Sequence, residues 1–167
     1  MDEKTLEDLK NAFAGESQAN RKYLAFSKIA EKEGFKGVSL IFKAVAEAET
    51  IHALNHFKLF GVGSTADNLK AAIKGENYEV TTMYPEFKDD AENANESEAL
   101  KTFNYAIEAE KIHEKFYIDA LQKVLENEDM DVEKVSVCKV CGHTVIGDAP
   151  DECPVCGSKS KSYLVIE

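Results

Sequence analysis

Apolar residues recur every three to four positions through about the first 127 residues, and that rhythm is lost afterwards, which separates a helical part from a tail of different construction. The rhythm predicts a first helix from about Thr5 to Glu33, stopped by Gly34, a residue suited to a left-handed cap. A second helix runs from about Lys36 to Phe60 and ends in the Gly61–Val62–Gly63 break. A third opens at Ser64 or Thr65, both good N-cap residues, and continues to about Asn93, with Pro85 predicting a kink or a restart inside it. A fourth covers about Glu96 to Glu126. Four long amphipathic segments with short connections predict a mainly α chain built as a four-helix bundle. The acidic stretch 127–134 reads as a linker. Beyond it, short β-type runs and turn residues are too few to bury a core unaided, so residues 1–130 and 131–167 are expected to form two domains.

Composition narrows the function classes. Acidic residues outnumber basic ones 31 to 20, for a formal net charge of −11, and the one arginine is Arg21. A phosphate-binding surface needs clustered Lys and Arg, so nucleic acid is not an expected partner. The opening MDEKTLEDLK has no apolar signal core and no run has the length of a membrane span. A soluble, cytoplasmic protein is expected.

Several carboxylates fall on the apolar stripes, where a core would not place them. Leu9, Glu16, Tyr23 and Ala30 are spaced by seven, as are Phe103, Glu110, Tyr117 and Val124. Phe42, Val45, Glu49, His52, His56 and Leu59 share one helical face. Converging buried carboxylates repel unless cations sit among them. Glu49-x-x-His52 and Glu110-x-x-His113 each put a carboxylate and an imidazole on one face, and Glu16 and Glu76 precede them by 33 and 34 residues. A single E-x-x-H is common by chance; two copies at matched offsets, each with an upstream Glu, give the donor set of ferritin-like di-iron or di-manganese bundles. Oxygen and imidazole donors suit iron or manganese, with zinc as the alternative.

The four cysteines form two C-x-x-C pairs, Cys138–Cys141 and Cys153–Cys156, with eleven residues between the pairs. Such knuckles read as one tetrahedral metal site, which accepts iron or zinc, and not as a disulfide framework. A metal would let the short tail fold.

The stretches AFAGESQANRKY, AEAETIHALNHF, GENYEVTTMYPEF and AIEAEKIHEKFY, followed by CKVCG and CPVCG, are similar to those of the rubrerythrins. The resemblance implies a ferritin-like di-iron bundle followed by a small rubredoxin-like domain, holding two non-haem irons and one iron in the four-cysteine site, with zinc as a substitute there. It implies Glu49 and Glu110 as bridging carboxylates, Glu16 as a terminal ligand of one iron, and Glu76 and His113 as terminal ligands of the other. GENYE adds Glu79, and the resemblance implies that His52 and Glu79 alternate on the first iron as it changes oxidation state. Tyr23 and Tyr84 match tyrosines close to the cluster, with aromatic core as the plain alternative. His143 stands where the family commonly has an aromatic residue.

The same resemblance implies a peroxidase reducing hydrogen peroxide to water. Electrons would enter through the thiolate-bound iron from an external rubredoxin or NAD(P)H-dependent reductase, since this chain has no dinucleotide-binding fingerprint. It implies a homodimer, helix-swapped in some members, in which the four-cysteine site of one subunit lies near the di-iron site of the other. A ferroxidase or iron-handling role is the rival within the same architecture, and a zinc-ribbon binding module is the rival outside it.

Overall fold

The computed structural model describes all of residues 1–167 as two compact units, Met1–Val62 and Gly63–Glu167. The first unit is a helical hairpin of α1 (Glu3–Lys32) and α2 (Lys36–Phe57). Helix α1 starts ahead of the predicted Thr5 because Asp2 caps it: the Asp2 carboxylate accepts the Thr5 N–H at 3.0 Å and the Thr5 hydroxyl at 2.7 Å. Its end is closed by Gly34 at φ +91°, with the Phe35 N–H reaching the Ala30 carbonyl at 2.8 Å. Helix α2 stops three residues short of the predicted Phe60. The Gly61 N–H folds back onto the Phe57 carbonyl at 2.8 Å, and a Cβ on Gly61 would run into the Phe57 ring. That ring is held by Phe13, stacked at 4.8 Å, and by Phe60, edge-on at 5.5 Å.

Small residues line the α1–α2 contact. Ser27, Ala30, Ser39, Ala46 and Ala53 are buried, and their size lets two helix backbones approach closely. Buried Asn20 ties the pair together by donating its amide to the Ala46 carbonyl at 2.7 Å and to the Thr50 hydroxyl at 2.8 Å. Satisfied in this way, a buried amide avoids its desolvation cost.

The second unit begins with α3 (Thr65–Tyr78), capped by Ser64, whose hydroxyl oxygen accepts the Asp67 N–H at 3.2 Å. A π-helical segment, Glu79–Met83, follows before α4 (Tyr84–Asn93). The predicted break at Pro85 is therefore met by a wide turn just upstream: the Tyr84 N–H bonds the Glu79 carbonyl, and Pro85 sits in the first turn of α4, where a missing N–H costs nothing. Helix α5 (Ser97–Leu125) packs along α3 and α4, and Asn77 on α3 donates to Glu114 on α5 at 2.8 Å. The helices of the chain thus number four, with the third interrupted, in two pairs.

After the stretch 126–134 a three-stranded antiparallel sheet forms, in the order β2 (Thr144–Ile146), β1 (Val135–Cys138), β3 (Tyr163–Ile166). Val135 pairs with Ile146 on one side and Ile166 on the other. Its core consists of Cys138, Cys141, Cys153 and Tyr163, with Tyr105 of α5 packed against it. No helix of the chain is long and apolar enough to cross a membrane.

Candidate metal centres

Three clusters of ligand-bearing side chains have donor atoms within 4.8 Å of one another: Glu16, Glu49 and His52; Glu76, Glu110 and His113; and the four cysteines. Each lies within one unit, so each can be described by itself.

In the first unit, Glu16 faces α2 from α1, and α2 presents Glu49 and His52 one turn apart. The Glu16 and Glu49 carboxyls are hydrogen-bonded to each other, which holds Glu16 above the usual carboxylate range and Glu49 below it, with His52 also lowering Glu49. Two carboxylates this close repel each other, and an opposite charge between them relieves the repulsion. His52 Nδ1 lies 3.0 Å from Glu49 Oε2, and its side chain is 54% exposed. Tyr23 does not bond this cluster; its ring lies 6.2 Å from that of Phe42 and 6.3 Å from that of Phe26.

In the second unit, Glu76 on α3 meets Glu110 and His113 on α5. Burial comes first and the Glu110 carboxylate second in pushing the Glu76 carboxyl up to about 7, and Glu79 and Glu114 add to the effect. Glu79, the first residue of the π segment, is outside the triad but feels its field: its carboxyl is raised by burial and by Glu110 and lowered by His113. The wide turn begins at Glu79 and leaves Glu76 in the regular helix, so the extra residue of the π segment lies at the point where a second carboxylate is offered. The Tyr84 phenol is raised by burial and by Glu79, Glu110 and Glu76, which keeps it protonated beside the carboxylates. Tyr117 responds in the same way, to burial, Glu76 and Glu110. It stands seven residues after Glu110, on the stripe that reads as core in the sequence, and only the carboxylates brought up by α3 mark it as part of the site.

His113 is held from both sides. Nδ1 lies 2.6 Å from Glu110 Oε2, and Nε2 lies 2.9 Å from the hydroxyl of Thr144 on β2. The four-cysteine module therefore sits against α5 of its own chain, beside the second triad. A cleft of about 200 Å³ between them is lined by Tyr105, Ala106, Glu110, His113, Val140 and Cys141. The resemblance implies proximity to the other subunit's irons; the contact within this chain is to its own Glu110 and His113.

The two knuckles repeat one geometry. Gly142 and Gly157 have φ of +81° and +71°, and their N–H groups bond the carbonyls of Cys138 and Cys153, each at 2.9 Å. The Cys138 and Cys153 N–H groups close the same loops onto His143 and Ser158 at 2.8 Å. Sulfur separations are 3.7 Å for Cys138–Cys156 and 3.5 Å for Cys141–Cys153. A tetrahedron with metal–sulfur bonds of about 2.3 Å has edges of about 3.8 Å, so the donor set fits a metal. Burial raises the Cys138 thiol, yet the Ser158 hydroxyl and the Val140 and Cys141 N–H groups outweigh it and bring it down to about 6; burial pushes Cys141 up. His143 fills the position of the expected aromatic ring as a buried imidazole, with Nδ1 2.8 Å from the Tyr163 hydroxyl and the two rings edge-on.

The comparisons with known proteins agree over nearly all of the chain. The rubrerythrin family model matches residues 7–121, and the model of the rubrerythrin rubredoxin-like domain matches residues 137–163. Rubrerythrin-2 of Clostridium acetobutylicum is 38% identical over 174 residues, covering 95% of each chain. Nigerythrin of Nitratidesulfovibrio vulgaris is 33% identical over 167 residues, covering 91% of this chain and 81% of its own. Among solved structures, nigerythrin in a partially reduced state superposes with a TM-score of 0.59 at 31% identity, over 97% of this chain and 86% of that one. The fully reduced, all-ferrous state gives 0.57 at 32%, with the same coverage.

Proposed function

Since the chain belongs to the rubrerythrin family, with its ferritin-like helices and rubredoxin-like four-cysteine domain, we propose that it is a peroxidase that reduces hydrogen peroxide to two waters, consuming two electrons and two protons. Its cofactors are two non-haem irons held by carboxylates and imidazoles and one iron held by four thiolates. When bound, the two irons supply one electron each to the O–O bond, and the thiolate-bound iron relays electrons one at a time from an external rubredoxin or NAD(P)H-dependent reductase.

The roles within the chain are those the resemblance implies: Glu49 and Glu110 would serve as the bridging carboxylates, Glu16 as a terminal ligand of one iron, and Glu76 and His113 as terminal ligands of the other. As the resemblance implies, His52 and Glu79 would serve as alternates for the first iron, although Glu79 belongs to the unit of the second triad. His52 is exposed and bonded only to its helical neighbour; Glu79 carries a carboxyl raised by burial and by Glu110, whose charged form a nearby cation would favour. The Tyr84 phenol, kept neutral among three carboxylates, offers a hydrogen-bond donor at the cluster. Tyr23, packed on Phe42 and Phe26, orients the α1 face that carries Glu16. The domains are taken as 1–130 and 131–167, and the working form as a cytoplasmic homodimer.

The observation that carries this reading is the joint presence of two Glu/Glu/His triads, a surplus carboxylate at Glu79, and a thiolate site against the second triad. The test is metal analysis with visible spectra of anaerobically purified protein. Three irons per chain and a ferric–thiolate colour that bleaches on reduction and returns with stoichiometric peroxide are expected. Ferrous oxidation yielding a mineral core in a cage-sized assembly would replace this reading with iron storage.

A further inference from the structure

Thr144 has one hydroxyl proton and uses it: Oγ1 donates to the Gly142 carbonyl at 2.9 Å. The same oxygen lies 2.9 Å from His113 Nε2, so in that contact it is the acceptor and Nε2 carries the hydrogen. With Nε2 engaged by Thr144, Nδ1 is the nitrogen that faces Glu110 Oε2, 2.6 Å away. Two acceptors at that distance are satisfied by a shared proton or a cation. The partner that fixes the ring comes from outside the helices, on β2 of the thiolate module.

The placement of Thr144 is built into the packing. Gly142, at φ +81°, faces α5, where a Cβ would meet Ala109 Cβ in ordinary contact at 3.8 Å, and Ala109 is buried. Ala109 lies one helical turn before His113. Tyr105, one turn earlier still, packs on the cysteine core. This row on α5 sets the register of the knuckle against the helix and brings Thr144 opposite the imidazole. Gly142 adjoins Cys141, so the chain Cys141–Gly142, Thr144, His113, Glu110 is continuous from the thiolate site to the second triad.

We propose that Thr144 is a positioning residue for His113, orienting the imidazole so that Nδ1 is presented to metal, and that iron affinity at the second triad thereby depends on the thiolate module. The inference rests on the di-iron reading above. Ligating histidines are oriented by the acceptor on their second nitrogen, and loss of that acceptor weakens metal binding by about 10–100-fold.

The experiment uses full-length protein with its thiolate-bound metal in place and titrates ferrous iron against a chelator. Thr144→Val keeps the shape and removes the hydroxyl; Thr144→Ser keeps the hydroxyl. Wild type and Thr144→Ser are expected to hold bundle iron equally, and Thr144→Val to hold it about 10–100-fold more weakly, with the thiolate spectrum unchanged. In the zinc-loaded protein, a slowly exchanging His113 Nε2–H proton resonance is expected in wild type and Thr144→Ser and lost in Thr144→Val. Equal iron affinity in all three proteins, or a resonance indifferent to the hydroxyl, overturns the role of Thr144. Absence of bundle iron from wild type, with the resonance present, overturns the di-iron reading instead.

Discussion

His52 and His113 hold the same place in their helix pairs, each three residues after a carboxylate and across from a Glu on the paired helix, yet the fold treats them differently. His52 is 54% exposed with one hydrogen bond to its helical neighbour, whereas His113 is 25% exposed and held at both nitrogens. The same motif thus yields a loosely held imidazole in one unit and a fixed one in the other. A second difference accompanies it. The first triad has no spare carboxylate, while the second has Glu79 at the start of a π turn beside Glu110. Near-repeated sequence is compatible with unequal chemistry when only one copy gains neighbours from elsewhere in the chain.

The largest effect should come from exchanging the two histidines' fates. His113→Ala is expected to lower bundle-iron affinity by about 100-fold or more, since a ligand is lost along with the group that Thr144 orients. His52→Ala should lose about tenfold or less. Iron titration of the two variants checks this, and equal losses would erase the asymmetry. Next in size is Glu79→Ala, expected to slow peroxide turnover about tenfold or more while both bundle irons remain bound. Steady-state rates beside iron analysis measure it, and unchanged turnover at full occupancy removes Glu79 from the reaction.

A smaller effect separates the units by pH. In metal-free protein the Glu76 carboxyl moves from 4.5 to about 7 on folding, so the folded state binds the proton more tightly than the unfolded chain. The stability this contributes is fully present below pH 4.5 and is lost as pH rises through about 7. Thermal melts of the metal-free protein should therefore fall across that window. Glu76→Gln should flatten the slope, and Glu16→Gln, at the more exposed triad, should change it less. The smallest effect is on folding alone. Asn20→Ala removes the amide that donates to the Ala46 carbonyl and the Thr50 hydroxyl, and is expected to cost about 1–3 kcal/mol by denaturant unfolding, with the thiolate spectrum untouched.

Much of this protein was legible before any coordinates. Heptad-spaced Glu16 and Glu110, the paired E-x-x-H motifs and the doubled C-x-x-C are local patterns, because helix periodicity and knuckle turns are short-range properties of the chain. Gly34 and Ser64 act as the caps expected of them for the same reason. The tertiary structure decided what depends on distant residues meeting. It turned the break expected at Pro85 into a π turn starting at Glu79, drew Tyr117 out of the core stripe and into the field of Glu76, and filled an aromatic seat with a His143–Tyr163 pair. It also set Thr144 against His113, thirty-one residues apart. No spacing rule reaches across a linker to a separate sheet, so which histidine is fixed emerges only when the packing of Gly142 and Thr144 against α5 brings the two modules of the second unit into register.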